Sequence, residues 1–154
     1  MHTVERQAEQ LAMAGLADVP APSLDWVTTD VAAFGLPDRY ALLVAGGSAH
    51  RPEKRWPVGS FARLARWLAD MGIAPVLLGT RAEADVNATI AAFCDAAIDL
   101  TGRTGFADIV ALARGAAAAV GNDTGPMHLV ATAGAPSAVL FSQFSDPALC
   151  APRG

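Results

Sequence analysis

The chain has 154 residues, of which 53% are hydrophobic and only 17% charged, and a formal net charge of -4. That length suffices for one domain with a core of its own, and the lack of a basic block argues against nucleic acid as the main partner. Two cysteines, Cys94 and Cys150, with no CxxC pair, argue against a disulfide scaffold or a zinc site and point to a reducing compartment.

The N-terminal stretch MHTVERQAEQ is polar and carries no signal-peptide core. Val4, Ala8, Leu11 and Ala12 recur at helical spacing, and Gly15 suits a helix stop. DVPAPSLDW reads as a linker, and TTDVAAFGLP as a short helical turn closed by Gly35 and Pro37. YALLVA is the first strand, followed by the loop GGSAHRPEKRW. Pro57 opens a helix whose inner stripe is Phe61, Leu64, Ala65 and Leu68, and Gly72 ends it. APVLLG is the second strand. AEADVNATIAAFC is the next helix, with Val86, Ile90 and Phe93 inward. AAIDL is a weaker third strand, and FADIVALARG a helix closed by Gly115. AAAAVG is a fourth strand, assigned from the rhythm because its own propensity is low. GPMHLVATAG is a helix with proline near its start, and SAVLF is the fifth strand. The remaining SQFSDPALCAPRG adds no helix to cover that strand, which suggests a longer parent protein.

Short apolar strands alternating with helices define an α/β fold, a doubly wound parallel sheet covered on both faces. No apolar run is long enough to predict a membrane span. The low charged fraction, against about 25% for an ordinary domain, hints that some surface meets another domain or chain.

In such sheets ligands bind beyond the strand carboxyl ends, where strand order reverses. With the order 3-2-1-4-5 the flanking loops are GGSAHRPEKRW and GNDTGPMH. The first offers Gly46, Gly47, Ser48, Lys54 and Arg55, which suit a phosphate cradle and equally a solvated turn. Its spacing is neither a P-loop nor GxGxxG, which disfavours a nicotinamide cofactor. The second loop opens a helix, whose free N–H groups and dipole attract anions. Asp123 there reads either as a helix cap or as an acceptor for sugar hydroxyls, and His128 faces either the crevice or the core.

Three sharper readings fail on pattern. The DTG triplet occurs once, whereas aspartic-protease chemistry needs two such acids in a mostly β setting. Ser48, Asp123 and His128 lack the GxSxG elbow of a hydrolase triad. His2, His50 and His128 form no recognisable metal-ligand set.

Taken together, GGSAHRPEKRWP, LLGTRAEAD, DLTGRTGFADIVAL and VGNDTGPMHLVATAGAP resemble glycosyltransferase family 9, the lipopolysaccharide heptosyltransferases. The resemblance runs from about residue 40 to the end and keeps motif order, and residues 1–16 look like the segment entering that family's second domain. It implies a GT-B enzyme of two Rossmann-like halves, this chain being the C-terminal, donor-binding one. Residues 1–37 would then come from the preceding domain, and 38–154 would form the nucleotide-sugar domain, incomplete at its C-terminus. The implied activity is inverting transfer of heptose from ADP-heptose to a lipid-linked acceptor at the cytoplasmic membrane face. It implies no metal or other cofactor, and a catalytic base in the N-terminal acceptor domain; the fragment alone would be inactive.

Carried over by position, the resemblance places Ser48 and Lys54 on the diphosphate, with Lys54 offsetting charge on departing ADP. It places Glu83 on the ribose, Thr104 at the adenine pocket and Asp123 on the sugar side. Thr124, Gly125 and His128 would hold phosphates at the helix start. Two other readings share the fold: a GT-B-type sugar-nucleotide epimerase, and a non-catalytic interaction domain.

Overall fold

Five consecutive apolar residues can all be buried only where a strand is covered on both faces, and Tyr40–Val44 is such a strand. The computed structural model describes residues 1–47 and 50–153. In it β1 (Tyr40–Val44) lies at the centre of a five-stranded sheet with β2 (Ala74–Leu77), β3 (Ile98–Asp99), β4 (Ala118–Asn122) and β5 (Ser137–Leu140). The order is β3-β2-β1-β4-β5 and every pairing is parallel. The expected α/β fold and strand order are both present.

Alternation along β1 builds two cores. Tyr40, Leu42 and Val44 face one way, onto Ile109 and Leu112 of α4 (Phe106–Gly115) and Met127 and Val130 of α5 (Gly125–Thr132). Ala41 and Leu43 face the other way, onto Phe61, Ala65 and Leu68 of α2 (Val58–Asp70) and Ile90 of α3 (Ala84–Phe93). Glycines with positive φ close the turns at Gly35 and Gly72, the stops the sequence marks there.

Several expectations change. Pro57 is the N-cap of α2, not its first helical residue; Val58 starts the helix. Phe93 is 55% exposed, while Asn87 is fully buried on the stripe that also carries Ile90 and Cys94. The amide is tolerated there because Asn87 Nδ2 donates to the Leu78 carbonyl at 3.3 Å and to Thr101 Oγ1 at 2.8 Å. α1 (Thr3–Met13) buries no residue, so its apolar stripe stays open. After β5 a single turn, α6 (Pro147–Cys150), packs on α1, and Ser137 and Ala138 of β5 remain exposed. The linker is tied down: the Arg114 guanidinium donates to the Leu24 and Val27 carbonyls, each at 2.6 Å. Among the described residues no helix is long and apolar enough to cross a membrane.

Tyr40 gives a stability test. Its hydroxyl donates to the Leu112 carbonyl at 2.6 Å from a buried position. Burial pushes its pKa above the ordinary 10.0. Between those two values the unfolded chain has lost the phenolic proton while the folded chain keeps it, so stability falls as pH rises through that window. Tyr40→Phe should cost about 1 kcal/mol near neutrality. In urea titrations at stepped pH it should also show a shallower alkaline fall than the wild type.

Candidate functional site

Strand order reverses between β1 and β4, so the loops leaving their carboxyl ends diverge and leave a crevice. A cavity of about 570 Å³ opens there, the size of a small-molecule site. Its floor is apolar, made by Val44, Leu78 and Ile109. Glycines form the walls where the strands end: Gly46 and Gly47 after β1, and Gly79 after β2.

Glu83 closes one end. A turn of 3-10 helix (Arg81–Glu83) carries it, and its Oε2 accepts from the Thr80 N–H at 2.8 Å and the Thr80 hydroxyl at 2.5 Å. The side chain crosses directly over Gly46: a Cβ added at Gly46 would lie 2.4 Å from Glu83 Cγ. Glycine at 46 is therefore what lets Glu83 reach the cleft. Thr104 lines the same end, next to Phe106, which is 77% exposed at the start of α4.

Asp123, Thr124 and Gly125 form the opposite wall. The N-cap of α5 is Thr124, and no side chain caps the helix. Asp123 is therefore not the cap, which removes the local alternative for it. The Thr124 hydroxyl donates to the Asn122 carbonyl at 3.2 Å. Pro126 has no N–H and the Met127 N–H donates to the Thr124 carbonyl at 3.1 Å, so the start of this uncapped helix leaves the Gly125 N–H, beside that of Thr124, toward the cavity.

His128 lies on the far side of Asp123, with Nε2 4.0 Å from Asp123 Oδ1 and the side chain about half exposed. It faces a second hollow, between α1 and α6, rather than the main cavity. Cys150 completes this neighbourhood, its Sγ 3.9 Å from Asp123 Oδ2. Burial and the Asp123 charge push the Cys150 thiol up, while the Lys54 charge opposes them. Lys54 is half-buried on the 3-10 turn Pro52–Lys54 of the first loop. Ser48 lies outside the described residues.

The fold thus brings Glu83, Thr104, Asp123, Thr124 and Gly125 into one cavity, with His128 beside Asp123 and Lys54 on the first loop outside its lining. Sequence reasoning missed Phe106, Gly79 and Asn122. An aromatic at the very start of a helix, where burial is poor, was the available signal for Phe106. Among the described residues no three His, Cys, Asp or Glu side chains cluster as a metal site.

These features define a Rossmann-like α/β domain with a cleft at its switch point. The chain belongs to glycosyltransferase family 9 (heptosyltransferase), whose model matches residues 1–152. It is 32% identical over 107 residues to lipooligosaccharide heptosyltransferase 2 of Haemophilus influenzae, covering 64% of this chain and 30% of that protein. The crystal structure of the glycosyl transferase family 9 from Veillonella parvula has the same fold, with a TM-score of 0.82 and 24% identity over 99% of this chain and 47% of that one. E. coli heptosyltransferase WaaC with ADP gives a TM-score of 0.74 and 26% identity over 100% of this chain and 48% of that one. With ADP-2-deoxy-2-fluoro heptose, heptosyltransferase WaaC gives 0.71 and 26%, over 96% and 47%. The chain spans less than half the length of each of these relatives. Their fold is GT-B, and this chain has the fold of one of its halves.

Proposed function

We propose that this chain is the donor half of an inverting heptosyltransferase and binds an ADP-heptose-like nucleotide sugar. The observation that carries the reading is the switch-point cleft, with an uncapped helix start at one end and Glu83 beside an apolar floor at the other. Solved relatives hold ADP and a fluorinated ADP-heptose, which supports the ligand class.

In this reading Thr124, Gly125 and Lys54 take the diphosphate, with Ser48 from the first loop. Glu83 offers Oε1 to the ribose, its Oε2 being engaged by Thr80. The base lies against Thr104 and Phe106, and Asp123 meets the sugar, with His128 behind it. The acceptor hydroxyl attacks the anomeric carbon and the bond to the diphosphate breaks. The hydroxyl proton passes to a carboxylate of the N-terminal half, and ADP leaves with its new charge facing Lys54 and the α5 start. That stabilisation needs no metal ion. Residues 1–37 join that half to the domain of residues 38–154. The intact enzyme works at the cytoplasmic face of the inner membrane on a lipid-linked acceptor, and the isolated chain catalyses nothing.

Phe106 supplies a check on the base end. Phe106→Ala should weaken ADP and adenosine alike, by about 1 kcal/mol each, the low end for base stacking on an aromatic ring. Calorimetric titration of both ligands reads this directly. Product analysis tests the reaction itself, using the protein with both halves, ADP-heptose and a heptose-deficient core acceptor. Heptosylated acceptor plus ADP supports the proposal. An isomerised nucleotide sugar would point to an epimerase, and no turnover of any nucleotide sugar to an interaction domain.

A further inference from the structure

Asn122 is the last residue of β4 and is 1% exposed, yet every part of its amide is used. Nδ2 donates to the carbonyls of Ala45 and Gly46, each at 2.9 Å. Oδ1 accepts from the Trp56 N–H at 2.8 Å. The adjacent Arg55 donates from Nη2 to the Gly47 carbonyl at 2.6 Å. Its stem packs on that glycine, where an added Cβ would lie 3.3 Å from Arg55 Cγ. Three successive carbonyls at the start of the first loop are therefore bound from the protein side, by two side chains from the loop's far end and from the second motif.

We infer that Asn122 and Arg55 are positioning residues that clamp these carbonyls away from the cleft and so preset its rim to accept a diphosphate. The reason lies in peptide geometry. The chain has no cis peptide bonds among its described residues. In a trans peptide the carbonyl of one residue and the N–H of the next point opposite ways. Holding the Ala45 and Gly46 carbonyls inward turns the Gly46 and Gly47 N–H groups outward, and both glycines line the cavity. Consecutive outward amides form an anion-binding concavity, whereas a carbonyl swung into the same space would repel the anion. Asn122 also joins the two motifs: one amide fixes the entry of the first loop at Ala45, its exit at Trp56, and the strand that leads to Asp123. An aspartate at 122 would keep the Trp56 contact and lose both donations. A methionine at 55 would keep the stem and lose the grip on Gly47.

The inference rests on the nucleotide-sugar reading, and the test separates the two. Backbone 15N relaxation and calorimetric titration with ADP and with adenosine are run on the wild-type chain, Arg55→Met and Asn122→Asp. Both variants should raise the mobility of residues 45–47 while the sheet strands stay rigid. Both should bind ADP roughly tenfold more weakly, about 1.4 kcal/mol, and bind adenosine as the wild type does. Arg55 lies in a loop and is partly exposed, so its variant remains informative if Asn122→Asp fails to fold. Unchanged mobility at 45–47, unchanged ADP affinity, or equal loss of both ligands overturns the clamp. A wild-type chain that binds neither ligand overturns the nucleotide reading and with it the diphosphate role, while local relaxation alone still reports whether the two side chains hold the loop.

Discussion

Lys54→Ala is expected to lower turnover of the intact two-half enzyme by about 100-fold, with a much smaller change in KM for the donor. The side chain is half-buried on the turn Pro52–Lys54, in the loop whose entry glycines line the cleft. Among the described residues it forms no ion pair, so its charge is available to a ligand. Negative charge on the leaving ADP grows as the sugar–phosphate bond breaks, so a fixed cation there stabilises the transition state more than bound substrate. Removing one such preorganised partner typically costs about 3 kcal/mol of barrier, whereas the ground-state contact of a half-exposed lysine is worth less. ADP binding by the isolated chain should accordingly fall only about tenfold, or about 1.4 kcal/mol. Steady-state kinetics on the intact enzyme and a titration on the chain read the two parts separately. Wild-type turnover by the variant would remove Lys54 from the leaving-group role.

Gly121→Ala is expected to destabilise the domain by about 3 kcal/mol, the upper part of the range for overpacking a tight core. Gly121 is buried in β4 beside its β1 partner Val44. Its backbone is not in the left-handed region, so the cost is one of packing alone. An added Cβ would lie 2.6 Å from Met127 Sδ, 2.8 Å from Met127 Cγ and 2.7 Å from Val44 Cβ. Met127 is fully buried in the core cluster that also holds Val44, and Val44 Cβ is fixed to the central strand. The strain must push β4 or α5, the two elements that carry the acidic wall of the cleft. Urea unfolding should give a lower midpoint with a similar slope, and an unchanged midpoint would show that the core yields more easily than these contacts imply.

Much of the fold was legible because it is local and periodic. The parallel sheet followed from the alternation of short apolar runs with helices, the order 3-2-1-4-5 was assumed, and even the alanine-rich β4 fell where the rhythm required. The turn glycines were legible because positive φ leaves few other choices. What the sequence hid depends on contacts between distant segments. Nothing local marks Asn122 as bonded to residues 45, 46 and 56, and its neighbour Asp123 drew attention by its charge. Phe93 looked inward because aromatic side chains usually are; the stripe through Asn87, Ile90 and Cys94 turned it out. The cavity residues Glu83, Thr104, Asp123, Thr124 and Gly125 were named from family resemblance, and the sheet edge explains their meeting. The exposed stripe of α1 could not be foreseen, since helical periodicity gives a face but not what lies against it.

The central claim is that the cleft between the β1 and β4 loops receives a nucleoside diphosphate. The most direct measurement is an NMR titration of the labelled chain with ADP, followed amide by amide. Saturable shifts, weak in affinity, are expected at Gly46 and Gly47, Thr80–Glu83, Thr104–Phe106 and Asp123–Gly125, with the exposed faces of α1 and α2 silent. No shifts in a folded chain, or shifts confined to the hollow between α1 and α6, would contradict it.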